Sequence, residues 1–177
     1  MKLFFILAPL ALAASVAASA LPKRGDGGCL SQSEAESIVS QYASILTHTD
    51  VATANATAQA LLDENYTEIS DSILSLEGQP LGTATFVGKQ LYIAGVLNSP
   101  GVTGINTLEI DVAGCNKILW YWLFTGIGSQ QYEIKGFNLF TITPASQIVQ
   151  VNLEFNSIAW ALDTGYQVIF PSSPAPT

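Results

Sequence analysis

The residues able to do chemistry in this chain are few. His48 is the single histidine. It stands in Thr47-His48-Thr49-Asp50, a capping context between two helical stretches, where a solvated inter-helix histidine competes with a catalytic base. Glu68 and Asp71 fall in a less regular stretch that can rim a pocket mouth or simply face water. Tyr132 supplies a phenol within reach of such a set. Together His48, Glu68, Asp71 and Tyr132 are the first candidates for acid–base work on a small substrate. Glu109 and Asp111 form a second carboxylate pair, two residues apart and so on one face of a strand. Their neighbours Leu108, Ile110 and Val112 point the other way, an alternation that sends the carboxylates to water and the aliphatics to the core. Glu133 and Lys135 repeat this arrangement. No HExxH, GxSxG, GxGxxG or phosphate-loop pattern is present, and no second histidine stands near either cysteine. Metalloprotease, serine hydrolase and nucleotide roles are therefore disfavoured, and neither a metal nor a cofactor is expected.

The aromatic residues say more than the acids. Trp120 and Trp122 share one face of a strand, and Tyr121 shares the other with Leu119 and Leu123. A strand apolar on both faces is covered on both. One cover is helical; the other is either a second copy of the chain or the segment from Trp160 to Phe170. Tyr42, Tyr66, Trp120, Trp122 and Tyr132, with Asn138 as a polar handle, can line an apolar cavity for a small hydrophobic molecule. Ordinary aromatic core packing explains the same residues.

These side chains need elements to position them. From Ile105 to Phe155 the chain reads as four strands, dense in Val, Ile, Phe, Tyr, Trp and Thr and separated by short polar or Gly-bearing breaks. An antiparallel meander is the economical arrangement. The stretch before it reads as helices. Ser31 or Ser33 caps the first, with Ile38, Tyr42, Ile45 and Leu46 on its inner face. A second runs from Val51 to Leu62 with Asp50 as N-cap, and Asp63-Glu64-Asn65 should fray its end. Tyr66 to Ile73 suits a short strand or irregular edge. A third helix, Phe86 to Leu97, starts at Thr83 or Thr85 and stops at Asn98-Ser99-Pro100-Gly101. Asn156 to Leu162 is a short closing helix.

Three N-terminal helices followed by a curved antiparallel sheet resemble the nuclear transport factor 2-like α+β cone, the fold of polyketide-cyclase-like (SnoaL-like) proteins. The likeness rests on Gly82-Thr83-Ala84-Thr85-Phe86-Val87-Gly88-Lys89, on Tyr132 to Phe140 with its Gly136 and Asn138, and on Glu154 to Trp160, which is similar to secreted fungal members. It spans about Cys29 to Gly165. The resemblance implies a conical pocket between sheet and helices, and a fold that often dimerises through the convex sheet face. It leaves chemistry open, because such a fold hosts isomerases, dehydratases and cyclases beside proteins without activity. Asn138 stands where that family often has Asp, and an amide cannot take a proton. The leading expectation is therefore a small apolar-ligand protein without established catalysis. A dehydratase-, isomerase- or cyclase-type enzyme is the first alternative. A secreted interaction or effector protein using the convex face is the second.

Compartment is the clearest expectation. Residues 1–20 have a short basic start, an apolar run and Ala18-Ser19-Ala20, the pattern of a secretory signal. Leu21-Pro22-Lys23-Arg24 ends in a dibasic pair that suits removal of a short propeptide. The mature chain then carries Lys89, Lys117 and Lys135 against all fourteen acids, a net of −11 against −8 for the whole sequence. That charge repels phosphate backbones, so nucleic acid is a poor partner, and no membrane association is expected of the mature form. About 150 residues suffice for one core. Cys29 and Cys115 are expected to pair in an oxidising compartment. Asn55-Ala56-Thr57 and Asn65-Tyr66-Thr67 are glycan acceptor sequences. Residues 171–177, rich in Pro, Ser and Ala, are expected to be a disordered tail.

Overall fold

A computed structural model describes residues 28–169. The stretches expected to be a signal, a propeptide and a disordered tail lie outside the described residues. The elements run α1 (Gln32–Thr47), α2 (Val51–Leu61), β1 (Leu62–Ile69), α3 (Asp71–Glu77), β2 (Ala84–Val87), α4 (Lys89–Leu97), β3 (Thr103–Ala113), β4 (Lys117–Gly126), β5 (Ile134–Ile142), β6 (Ile148–Phe155) and α5 (Ser157–Asp163).

The meander from β3 to β6 is as the strand pattern predicts. It is not the whole sheet. Six strands lie in the order β2-β1-β6-β5-β4-β3, and β1 runs parallel to β6, so the sheet is mixed rather than purely antiparallel. Residues 63–65, expected to fray the end of a helix reaching Leu62, instead lie with Leu62 in the first half of β1. Leu62 leaves the helical region there, with φ −93° and ψ 137°. Thr83 and Thr85 do not start a helix either. Their β-branched side chains sit in and beside β2, and Gly88, at φ 92°, turns the chain into α4 with a backbone that a side chain would strain. Residues 71–73, expected as strand or edge, instead open the short helix α3, which runs on to Glu77. The N-terminal helical layer is thus two long helices plus α4, interrupted by two strands.

Helix α1 starts with a capping box in which Ser31 and Glu34 satisfy each other's backbone groups. Its apolar stripe, Ala35, Ile38, Val39, Tyr42 and Ile45, is buried against the inner face of β4 and β5, where Ile118, Trp120, Phe140 and Ile142 join the same core. The disulfide joins Cys29 to Cys115, and Leu30 N donates to the Cys115 carbonyl beside it. The start of α1 is thereby fastened to the β3–β4 turn.

The outer sheet face is wet where expected. Glu109 and Asp111 are exposed and register with Tyr121 and Leu119. The double burial expected of β4 is corrected, however. Leu119, Tyr121 and Leu123 are only half-buried, because no helix of the described residues lies across that face. The C-terminal segment goes elsewhere: α5 packs beside α3.

Candidate functional site

Sheet curvature, α1, α3, α4 and α5 enclose a cavity of about 470 Å³, within the range of small-molecule sites. Its floor is the inner face of the sheet: Glu68 from β1, Leu153 and Phe155 from β6, Asn138 from β5, Trp122 and Phe124 from β4. Tyr42, Leu46, Tyr92 and Val96 descend from the helices, and Ile73, Leu76, Trp160 and Tyr166 edge the mouth.

Short α3 is placed at that mouth by a carboxylate from another strand. Glu154 of β6 accepts hydrogen bonds from the backbone N–H groups of Asp71 (2.9 Å) and Ser72 (3.0 Å), meeting unpaired amides at the helix N-terminus. Asp163 does similar service at the end of α5. Its carboxylate accepts from Ser129 Oγ, Gln131 N and Tyr132 N. Burial pushes the Asp163 carboxyl up, but these three bonds prevail and hold it below the ordinary value.

Glu68 is the centre of the site. The expectation that it lies on the surface is overturned: it is 2% exposed. Glu68 is opposite Val151 across the parallel β1–β6 pair, and that register turns it inward. Its Oε2 accepts hydrogen bonds from Tyr66 (3.1 Å) and Tyr42 (3.3 Å), and Tyr92 donates to the Tyr42 hydroxyl at 2.7 Å. All three tyrosines are buried. Both tyrosine donors go to Oε2, and no protein donor among the described residues binds Oε1, although Glu68 lines the cavity. Burial raises the Glu68 pKa from 4.5 to about 7, against the lowering effect of its bonds from Tyr66 and Tyr42. Burial first, and the adjacent carboxylate second, push the Tyr42 and Tyr66 hydroxyls far above their usual value, so they stay donors. The arrangement is a carboxyl poised to take or give a proton near neutral pH, with one oxygen open to a ligand.

Tyr42→Phe should report on this network. It removes a bond that favours the carboxylate and leaves the Tyr92 hydroxyl without its acceptor. We expect the Glu68 titration midpoint to move upward and stability to fall by about 1–2 kcal/mol, measured by pH titration and urea unfolding. An unchanged midpoint would contradict the network.

The remaining expected site residues separate. His48 also lines the cavity, at its rim. It caps α1 at φ 22°, and its ring is tied to backbone: Nδ1 lies 3.2 and 3.1 Å from the Ile45 and Leu46 carbonyls, Nε2 2.8 Å from that of Ser99. Rather than standing in solvent, it fastens α1 to the loop after α4. Asp71 does not line the cavity; its Oδ1 accepts from Gly82 N at 2.7 Å. Tyr132 is also outside, 45% exposed on the β4–β5 loop, so its places in the acid–base set and in the pocket lining are both corrected. Trp120 is core instead of lining, packed on Tyr42 and Phe140, with Nε1 donating to Thr107 Oγ1 at 3.0 Å. Tyr66 lies behind Glu68 and reaches the site through it. Tyr42, Trp122 and Asn138 do line the cavity.

Tyr92 was missed by sequence reading, as was the depth of Glu68. One signal was present: Tyr66 and Glu68 are two apart and share a strand face, so an inward Tyr66 carries Glu68 inward with it. Among the described residues no group of three or more His, Cys, Asp or Glu could hold a metal ion.

Residues 28–167 match the model of the NTF2-like domain family, and the chain belongs to that family. Solved structures share the fold at low identity. A candidate isomerase from Bacillus subtilis is similar with TM-score 0.59 and 13% identity, covering 76% of this chain and 95% of that one. A SnoaL-like protein of unknown function from Burkholderia thailandensis gives 0.54 and 14%, covering 72% and 98%. A steroid delta-isomerase from Pseudomonas aeruginosa gives 0.53 and 10%, covering 76% and 90%. No curated protein matches.

Proposed function

We propose that this chain binds a small, mostly apolar molecule in the sheet–helix cavity and moves a proton on it through Glu68, as an isomerase- or cyclase-type acid–base enzyme. The observation that carries the reading is the buried Glu68 carboxyl, held by two tyrosine donors on Oε2 with Oε1 left for a ligand. Among the described residues, the other ionisable groups lining the cavity are Tyr42 and Tyr92, whose hydroxyls stay protonated, His48, tied to backbone, and Glu77 and Tyr166, exposed on the rim. A lone carboxyl that takes a proton must also return it, which suits a proton shift or ring closure better than hydrolysis. Isomerases among the structural neighbours are in keeping with this reading, as statements about those proteins.

A probe for a desolvated carboxylate base is 5-nitrobenzisoxazole, whose loss of the C3 proton opens the ring to a coloured cyanophenolate. The expected rate is saturable and rises with pH to a plateau, with a midpoint near 7 set by Glu68. The second reading is a binding protein without turnover, favoured by Asn138 standing in the cavity where an acid would give a second catalytic group. Saturable binding with no rate above buffer would leave that reading standing and overturn the enzyme.

Secretion belongs to the same proposal. It is supported by the disulfide and by residues 1–24 of the sequence. No helix among the described residues is long and apolar enough to cross a membrane. Asn55 and Asn65 are exposed and open to glycosylation; a mass unchanged by glycosidase on host-secreted protein would refute it. A homodimer through the convex face is supported by the Tyr121–Phe137 stack, centroids 4.5 Å apart with Phe137 46% exposed. A monomer mass in light scattering would refute that, and loss of a partner on mutating Phe137 would instead favour the interaction-protein reading.

A further inference from the structure

We infer that the free edge of β3 is a docking site for an extended basic segment, and that its occupant is the chain's own residues 23–27, with Lys23 on Glu109 and Arg24 on Glu36. The inference is independent of the cavity reading.

β3 closes one side of the sheet, with β4 as its one strand neighbour among the described residues. It is 11 residues long, the kind of open edge that proteins cover or blunt. A groove of about 360 Å³ runs beside it, between β3 and α1. Ile105, Thr107 and Ile110 form one wall, Val39 and Ala43 the other, and Glu36 is the one charged residue of the lining. The edge takes donors. Gln32 Nε2 reaches the Ile110 carbonyl at 2.9 Å, so that carbonyl, and with it the Ile110 N–H, faces away from β4. On the outer face of the same strand Glu109 and Asp111 are exposed, with no hydrogen bond or ion pair among the described residues. Glu36 has only the Gln32 amide, at 3.1 Å.

Tether and charge name the occupant. The disulfide fastens the start of α1 beyond the end of β3. The end of α1 meets the other end of the strand, where Val102 N donates to the Leu46 carbonyl at 2.9 Å. A segment that leads into α1 along this edge therefore runs parallel to β3. Cys29 and Cys115 are 86 positions apart, and the same offset sets Lys23 opposite Glu109, Arg24 opposite Ile110 and Gly25 opposite Asp111. The chain from Lys23 to Cys29 and the chain from Glu109 to Cys115 each span about 20 Å when extended, so the lengths agree. Glu109–Ala113 also lies past the register shift that follows Thr107. Side chains alternate along a strand. Lys23 thus joins Glu109 on the outer face, and Arg24 turns into the groove toward Glu36. Asp26 falls opposite Val112 and meets no acid. Lys23 and Arg24 are the one adjacent pair among the 6 basic residues of the chain. The Ile110 N–H then donates to the Lys23 carbonyl, and Gly25 N–H joins Gln32 on the second lone pair of the Ile110 carbonyl. A second copy laying its β3 antiparallel on this edge would set Glu109 and Asp111 against the same acids. The tether adds an effective concentration of about millimolar order. Cleavage after Arg24 would take away both cations, which makes the segment a removable cover of the edge.

The test compares the chain starting at Leu21, as left by removal of the expected signal, with the chain starting at Gly25. Both hold every described residue, and the readout is amide hydrogen exchange of the folded protein at low salt. The Ile110 N–H should exchange about tenfold more slowly in the longer chain, and added salt should shrink that difference. Lys23→Glu with Arg24→Glu in the longer chain should abolish the protection. Adding Glu36→Lys and Glu109→Lys to that variant should restore it, an outcome that a merely unfolded variant cannot give. Equal exchange at Ile110 in the two starting chains overturns the inference, and so does protection that survives the charge reversal. Protection in the chain from Gly25 that grows with protein concentration would put a second copy on the edge and overturn it as well.

Discussion

Glu68→Gln is expected to lower proton transfer from 5-nitrobenzisoxazole by about 10²–10⁴-fold, the usual worth of a positioned general base, and to flatten the dependence of stability on pH. Gln keeps the side-chain length and still offers an oxygen to Tyr42 and Tyr66, so the fold should persist. The sign of the stability effect follows from the direction of the shift. The folded-state pKa is raised, to about 7 against 4.5, so the folded protein favours the protonated carboxyl. The contribution of Glu68 to stability is fully present below about pH 4.5 and is lost as pH rises through about 7. A shift of that size corresponds to about 3 kcal/mol, or roughly 10 °C in Tm for a domain of this length. Relative to the Gln variant, wild-type protein should therefore lose that amount between pH 4.5 and 8, read by urea unfolding across the range. Parallel pH profiles would show that Glu68 is not the buried acid of this account.

Gly136→Ala should cost about 2–6 kcal/mol and damage the cavity at the same stroke. Gly136 is buried in β5, opposite Trp122 on one side and Phe155 on the other. A Cβ built there would meet Trp122 Cζ2, would stand 2.6 Å from Trp122 Cη2, and would lie 2.7 Å from Phe155 Cβ. The Phe155 Cβ is fixed to its strand, so the indole must move. Overpacking of this kind costs about 1–3 kcal/mol. Moving the indole also breaks its bond to Asn138 Oδ1, and a buried donor left unmet adds about 1–3 kcal/mol. Denaturation should show the loss, and near-ultraviolet circular dichroism should show the displaced tryptophan. A variant of wild-type stability and spectrum would mean the indole has room that the structure denies it.

Much of the fold was legible because it is local. Ser31 with Glu34, Asp50 as the cap of α2, the Asn98–Gly101 stop, and the four strand runs are all written within a few residues of where they act. The mixed character of the sheet was not, because β1 is defined by a parallel partner more than eighty residues away, and its own sequence alternates weakly. That single pairing decides the candidate site. While residues 66–73 read as an irregular edge, Glu68 belonged at the surface. Set beside Val151, it becomes the most buried acid in a cavity. Asn138 does lie on the cavity floor. Its amide does remove one potential base from the floor, yet a carboxylate enters the same cavity from β1. Tyr132 failed for the opposite reason. The residues just before β5 leave the strand for a loop held by Asp163, so the alternation of the strand does not extend to it.

The central claim is that Glu68 is a desolvated carboxyl titrating near neutrality inside a ligand cavity. Carbon-13 labelling of the glutamate side-chain carboxyls, with Glu68→Gln to assign the resonance, measures it directly. The account predicts a midpoint near 7 for Glu68, and a further change in that midpoint when a small apolar molecule fills the cavity. A Glu68 carboxyl that titrates between about 4 and 5, as exposed glutamates do, and ignores the ligand would contradict it.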